Sequence, residues 1–167
     1  AGHSLGEWSA LVAAGVVNLE DAVRLVRLRG QYMQSAVPAG QGAMAAIVGL
    51  ADDLVMQACE QSTQGEIVLP VNFNSPGQIV IAGQAEAVQR AMEACSEAGA
   101  KRAIPLPVSA PFHTPLMQPA ADRLAVDIDA TDFNAPNIPV IHNVGCAPET
   151  DPERIKQLMV EQITAPV

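Results

Sequence analysis

The chain has 167 residues, of which 49% are hydrophobic and 16% charged, so it can bury a sizeable core and is too apolar for a disordered segment. Its net charge of −9 disfavours nucleic acid as a partner, and any anionic ligand must be met by a local basic patch working against the overall field. Cys59, Cys95 and Cys146 form no CxxC pair and no Cys/His cluster of metal-ligand spacing, and an odd count argues against a disulfide framework. A reduced, cytoplasmic protein without a metal is the simplest reading. No apolar run approaches the ~20 residues that span a bilayer, and no signal peptide is recognisable, so no membrane association is expected. The sequence begins at Ala1 without a methionine and reads as an internal piece of a longer chain.

After Ser4, Leu5, Trp8, Leu11 and Val12 recur at the helical period, and the helix stops at Gly15. Asn18 is a good N-cap for a second helix, with Glu20 and Asp21 in its first turn. That helix is expected to turn Ala22, Val23, Val26 and Met33 inward, and Arg24, Arg27 and Arg29 lie on it before Gly30. Pro38-Ala39-Gly40-Gln41-Gly42 marks a break. A different rhythm follows: strand 43–50, helix 52–61, strand 67–73, a turn at Asn74-Ser75-Pro76-Gly77, strand 78–82, helix 84–98 and strand 102–108. This βαββαβ order is the ferredoxin-like pattern, with Pro70, Pro105 and Pro107 pointing to edges or bulges. Beyond Ser109 the spacing predicts a helix over 116–128, a short buried strand over 140–144, and a helix over 151–164 with Pro152 in its first turn. The expected organisation is one α/β domain made of residues 1–41 and 109–167, with residues 42–108 inserted as a subdomain.

Gly2-His3-Ser4-Leu5-Gly6 fits G-x-S-x-G, the nucleophile elbow. A serine at such a turn adopts strained backbone angles, and glycines two residues away on either side relieve the crowding. Its hydroxyl then stands at the N-terminus of the following helix, where the Leu5 amide can face a developing oxyanion. The pentapeptide alone is a weak signal, but its place at the head of an amphipathic helix strengthens it. Such a serine needs a base. His3 adjoins it and is expected to point away. His142, within the expected short strand, reads as a structural histidine. His113, in the proline-bracketed loop Ser109-Ala110-Pro111-Phe112-His113-Thr114-Pro115, is placed to reach a cleft.

Together with the elbow, Val26-Arg27-Leu28-Arg29-Gly30, Asn72-Phe73-Asn74-Ser75-Pro76-Gly77-Gln78 and Pro107-Val108-Ser109-Ala110-Pro111-Phe112-His113 resemble, in order and spacing, the motifs of the bacterial malonyl-CoA:acyl-carrier-protein transacylases. The same family also includes the acyltransferase domains of polyketide and animal-type fatty acid synthases. The resemblance implies an α/β-hydrolase-like core carrying the ferredoxin-like insertion. It implies that Ser4 forms a malonyl ester, that His113 is its base and later its acid, and that Arg29 holds the free carboxylate of the malonyl group. A planar guanidinium suits such a carboxylate, although a helix-face arginine can also be merely solvated. Phe112 resembles a bulky residue that would crowd an α-methyl branch, or it packs the domain junction. Asn72 and Asn74 would bond the pantetheine arm, Asn74 being equally explained by turn chemistry. Lys101 and Arg102 would meet the phosphates of CoA or of the carrier, or serve only as solvated charges.

The implied partners are malonyl-CoA and acyl carrier protein, in fatty acid biosynthesis, with no cofactor beyond the CoA thioester as substrate and the carrier's phosphopantetheine. The family's oxyanion glutamine and the group that orients its histidine are expected outside residues 1–167. A serine hydrolase or thioesterase, a polyketide synthase acyltransferase domain, and a carrier-docking module without turnover share parts of this pattern. Arg29 separates the transferase from a simple ester hydrolase, which has no need for a cation there.

Overall fold

The computed structural model describes residues 1–167. Helix α1 (Leu5–Ala13) buries Glu7, Trp8 and Leu11. Helix α2 (Leu19–Ser35) starts at Asn18, whose side chain accepts the Asp21 amide at 2.8 Å, as the capping pattern predicted. It runs unbroken through Gly30. Its buried stripe is Ala22, Leu25, Arg29 and Met33. Val23, expected inward, is 60% exposed, and Val26 is half-buried. The stripe advances by three and four residues from Ala22, which turns Val23 toward an apolar groove between α1 and α2 instead.

The middle of the chain forms β1 (Gly42–Val48), α3 (Asp52–Gln61), β2 (Val68–Ser75), β3 (Gln78–Gln84), α4 (Ala85–Glu97) and β4 (Arg102–Pro105). The strands make one sheet in the order β2-β3-β1-β4, every pair antiparallel. Pro70 lies on the edge strand β2 beside a register shift, where a missing amide donor is tolerated. The last strand ends at Pro105 rather than at residue 108. One face of the sheet, with Ala45, Ile47, Ile79 and Ile81, packs on Val55, Ala58, Val88 and Ala91 of α3 and α4. The other face carries Met44, Val71, Val80 and Ala82, and Phe112 packs against it.

A short 3₁₀ turn (Pro115–Met117) leads into α5 (Gln118–Asp129), and α6 (Pro152–Glu161) follows a long connection. Helices α1, α2, α5 and α6 share a second core that includes Trp8, Leu25, Leu124, Ile128, Ile155 and Met159. The strand expected over 140–144 does not form. Only Ile141 bridges to Pro148, because Pro139 precedes the segment and Gly145 and Cys146, at φ 80° and 49°, turn the chain back at once. No helix is long and apolar enough to cross a membrane.

Candidate active site

Ser4 occupies the N-cap of α1 with φ 50° and ψ −102°, a conformation that non-glycine residues rarely adopt. A Cβ on Gly2 would stand 2.1 Å from the backbone of Gly6, so the elbow closes only with glycine at position 2. A Cβ on Gly6 would meet nothing within 4 Å, so the crowding argument holds for one of the two glycines. The Leu5 amide opens α1 and has no backbone acceptor, although the Leu5 side chain is exposed.

The hydroxyl of Ser4 lies 2.9 Å from His113 Nε2 and accepts a hydrogen bond from Arg29 Nη2 at 2.8 Å. His113 itself has φ 61° and is buried. Its Nδ1 sits 2.8 Å from the main-chain carbonyl of Gln162. A carbonyl can only accept, so Nδ1 carries the proton and Nε2 offers its lone pair to the Ser4 hydroxyl. The group orienting the base therefore lies within residues 1–167, contrary to the sequence-based expectation. Burial, opposed by the bond to Gln162 and assisted by the Arg29 charge, pushes the His113 imidazole down to about 4, so it is neutral at pH 7.

Arg29 is 7% exposed. Burial lowers its pKa to about 10, and the nearby Glu7 carboxylate partly offsets this, so the guanidinium stays cationic at pH 7. Its Nη2 also donates to Gln162 Oε1 at 3.0 Å, while its Nε is buried without a partner. An unpaired buried donor on a cation is costly unless an acceptor arrives.

Ser4, Arg29, Asn72, Phe112 and His113 line one cavity of about 320 Å³, together with Met33 and Met44. The Nδ2 of Asn72 is buried there and unpartnered. His3, expected to point away from Ser4, lines the same cavity. Asn74, Lys101 and Arg102 are exposed and lie outside it. A larger cavity of about 500 Å³ between α1 and α2 is lined almost wholly by apolar side chains and does not include Ser4 or His113.

Beneath the elbow lies a polar cluster of which the sequence singled out only His142. Glu7, 1% exposed, accepts from His142 Nδ1 at 2.7 Å and from Gln162 Nε2. Asn143 Oδ1 accepts the Ser4 amide at 2.7 Å. Of these, Gln162 was the most accessible to sequence reasoning. It follows Ile155, Leu158 and Met159 and precedes Ile163 at helical spacing, a polar residue on an apolar stripe. His142 is the structural histidine it was expected to be, though on a turn.

A serine poised between a neutral imidazole and a buried cation, with a helix-terminal amide beside it, brings a nucleophile, a base and a positive charge into one cavity. The sequence matches the acyl transferase domain family over residues 1–167, and the chain belongs to that family. It is 59% identical over 167 residues to the malonyl CoA-acyl carrier protein transacylase of Escherichia coli K12, covering 100% of this chain and 54% of that one. It is 51% identical to the protein of the same description from Bacillus subtilis 168, covering 100% of this chain and 53% of that one. The fold matches an acyl carrier protein S-malonyltransferase from Vibrio cholerae with a TM-score of 0.97 and 61% identity, over 99% of this chain and 54% of that one. The chain thus spans about half the length of the relatives it matches.

Proposed function

We propose that this chain carries the acyl-transfer site of an enzyme that moves a malonyl group from malonyl-CoA to the phosphopantetheine thiol of an acyl carrier protein, for fatty acid synthesis. The observation that carries this reading is the placement of Ser4 Oγ between His113 Nε2 and Arg29 Nη2, at 2.9 and 2.8 Å. The hydroxyl attacks the thioester carbonyl while its proton passes to His113 Nε2, and the oxyanion faces the Leu5 amide. The C–S bond breaks and the CoA thiol leaves with the proton from His113. The carrier's thiol then gives its proton to His113 and attacks the serine ester, and the Ser4 oxygen departs reprotonated. No resident cofactor is needed, because nucleophile, base and cation are all side chains.

Arg29 supplies the malonyl selectivity, its orphan Nε being a ready donor for the second oxygen of a carboxylate. Phe112, half-buried at the cavity wall, limits branching at the α-carbon. Asn72 offers its free amide to the thioester arm. Asn74, Lys101 and Arg102 belong to an outer approach for pantetheine and phosphates, where exposed basic residues counter the −9 charge.

The two separate cores support a division into an α/β-hydrolase-like unit, residues 1–41 and 109–167, and a ferredoxin-like unit, residues 42–108, with the site at their junction. A cytoplasmic location is part of the same proposal. The test is intact-mass measurement after exposure to malonyl-CoA. One malonyl adduct is expected, lost in Ser4→Ala and retained when Cys59, Cys95 or Cys146 is replaced; labelling that survives Ser4→Ala overturns the assignment.

A further inference from the structure

The strained backbone at Ser4 needs something to hold it. A residue at φ 50° and ψ −102° costs on the order of 1–3 kcal/mol relative to ordinary backbone, and persists only where its surroundings over-determine it. Those angles set the direction of the Cα–Cβ bond, so whatever holds the backbone also fixes where the hydroxyl is carried.

Asn143 meets the elbow at two points. Its Oδ1 accepts the Ser4 amide at 2.7 Å, and its Nδ2 donates to the Gly2 carbonyl at 2.7 Å. The Ser4 amide has no backbone acceptor, so the Asn143 side chain is its partner. An amide N–H needs an acceptor and a carbonyl needs a donor, and among side chains of this length only asparagine presents both. Asn143 is in turn fixed from below. Its own amide donates to Glu7 Oε1 at 3.3 Å, and Gln162 Nε2 reaches its Oδ1 at 3.4 Å. The turn that carries it is closed by the Ile141–Pro148 bridge and by the bond from the His142 amide to the Ala147 carbonyl at 3.1 Å.

We infer that Asn143 is a positioning residue for acyl transfer: its side-chain amide clamps the main chain on both sides of His3 and so holds Ser4 Oγ within reach of His113 Nε2. This rests on Ser4 being the acylated nucleophile, but not on malonyl being the acyl group. Without the clamp, Ser4 relaxes toward ordinary backbone angles and its hydroxyl swings out of line, and a misplacement of about 1 Å can cost about 100-fold in rate.

The experiment uses the intact protein with Asn143→Asp and Asn143→Ala. Thermal melting gives the folded fraction, and the rate constant for serine modification is read per folded molecule with malonyl-CoA, acetyl-CoA and a fluorophosphonate. Aspartate keeps the shape but replaces the donor that faces the Gly2 carbonyl with a second acceptor. The expected result is a loss of about 100-fold with all three reagents in both variants, at unchanged apparent thioester affinity and unchanged malonyl-to-acetyl ratio. A residue that merely fills space predicts an aspartate variant close to wild type, and that outcome overturns the inference. A second measurement needs no variant. In the wild-type chain the Ser4 amide should be protected from hydrogen exchange, and exchange at the rate of a free amide overturns the clamp. Fluorophosphonate labelling of Ser4 without malonyl labelling would sink the malonyl reading alone.

Discussion

Replacing Arg29 with alanine separates substrate choice from chemistry. The guanidinium is 7% exposed, bonds Ser4 Oγ at 2.8 Å and Gln162 Oε1 at 3.0 Å, and leaves its Nε free. For a malonyl group the variant loses a charge-assisted anchor shielded from water, about 2 kcal/mol, which corresponds to roughly 30-fold. An acetyl group has no carboxylate to lose, and removal of a buried cation with an unpaired donor eases its entry. Both donors share any loss that comes from disturbing Ser4 or Gln162, so the ratio isolates the carboxylate. The malonyl-to-acetyl ratio should therefore fall by about 30-fold or invert, while Ser4 remains acylable. The assay is competition between the two thioesters, read by the mass of the acylated protein. An equal fall for both donors would refute the reasoning, leaving Arg29 as a structural residue and the proposed transferase reading without its best distinction from a hydrolase.

Three further outcomes follow from the same geometry. With His113 held at about 4, the base is neutral until the pH falls well below the ordinary imidazole value; acylation should stay flat from neutral pH down to about 5 and decline only below that, whereas a midpoint near 6.5 in the rate profile would contradict the buried neutral base. Phe112→Ser should relax discrimination between malonyl-CoA and methylmalonyl-CoA by roughly 10–200-fold, since a methyl-sized change in a pocket is worth about 1–3 kcal/mol; an unchanged ratio returns Phe112 to packing. Gly2→Ala should abolish Ser4 acylation, because its Cβ would stand 2.1 Å from the Gly6 backbone; retained acylation at wild-type stability would show that the elbow can open without loss.

Local signals carried most of the fold. Helix α3 lies at the residues its periodicity marked, and Asn18 caps α2 as its side-chain chemistry dictates. The misread strand has one cause, which is that tertiary context decides what short segments do. Val140–Val144 has strand-like residues but no partner strand beside it, and the positive φ of Gly145 and Cys146 converts it to a turn. The same limit applies to the site. Ser4 and Arg29 sit within recognisable motifs, and His113 lies in a loop stiffened by prolines. Asn143 and Gln162 reach Ser4 across 139 and 158 residues, and no local pattern reports a contact of that range. Glu7, an acid in the first turn of α1, is the buried acceptor for His142 and Gln162.

Gln162 joins parts that otherwise act separately, and its two ends should be separable by mutation. Its main-chain carbonyl orients His113, and any side chain at this position leaves that carbonyl in place. Its side chain bonds Arg29 Nη2, the Ser4 carbonyl at 3.1 Å and Glu7. Gln162→Ala therefore keeps the tautomer of the base but leaves a buried carboxylate oxygen of Glu7 unpaired, which should lower stability by about 1–3 kcal/mol. It also untethers the guanidinium, so the malonyl-to-acetyl ratio should fall in the same direction as in Arg29→Ala. Because that effect on the ratio passes through Arg29, the double variant Arg29→Ala/Gln162→Ala should show a ratio no lower than Arg29→Ala alone. Contacting residues in one network are where such non-additivity is expected. The measurement is the same thioester competition run as a double-mutant cycle. If Gln162→Ala lowers the ratio further once Arg29 is gone, the glutamine has its own contact with the acyl group and is not acting through the cation.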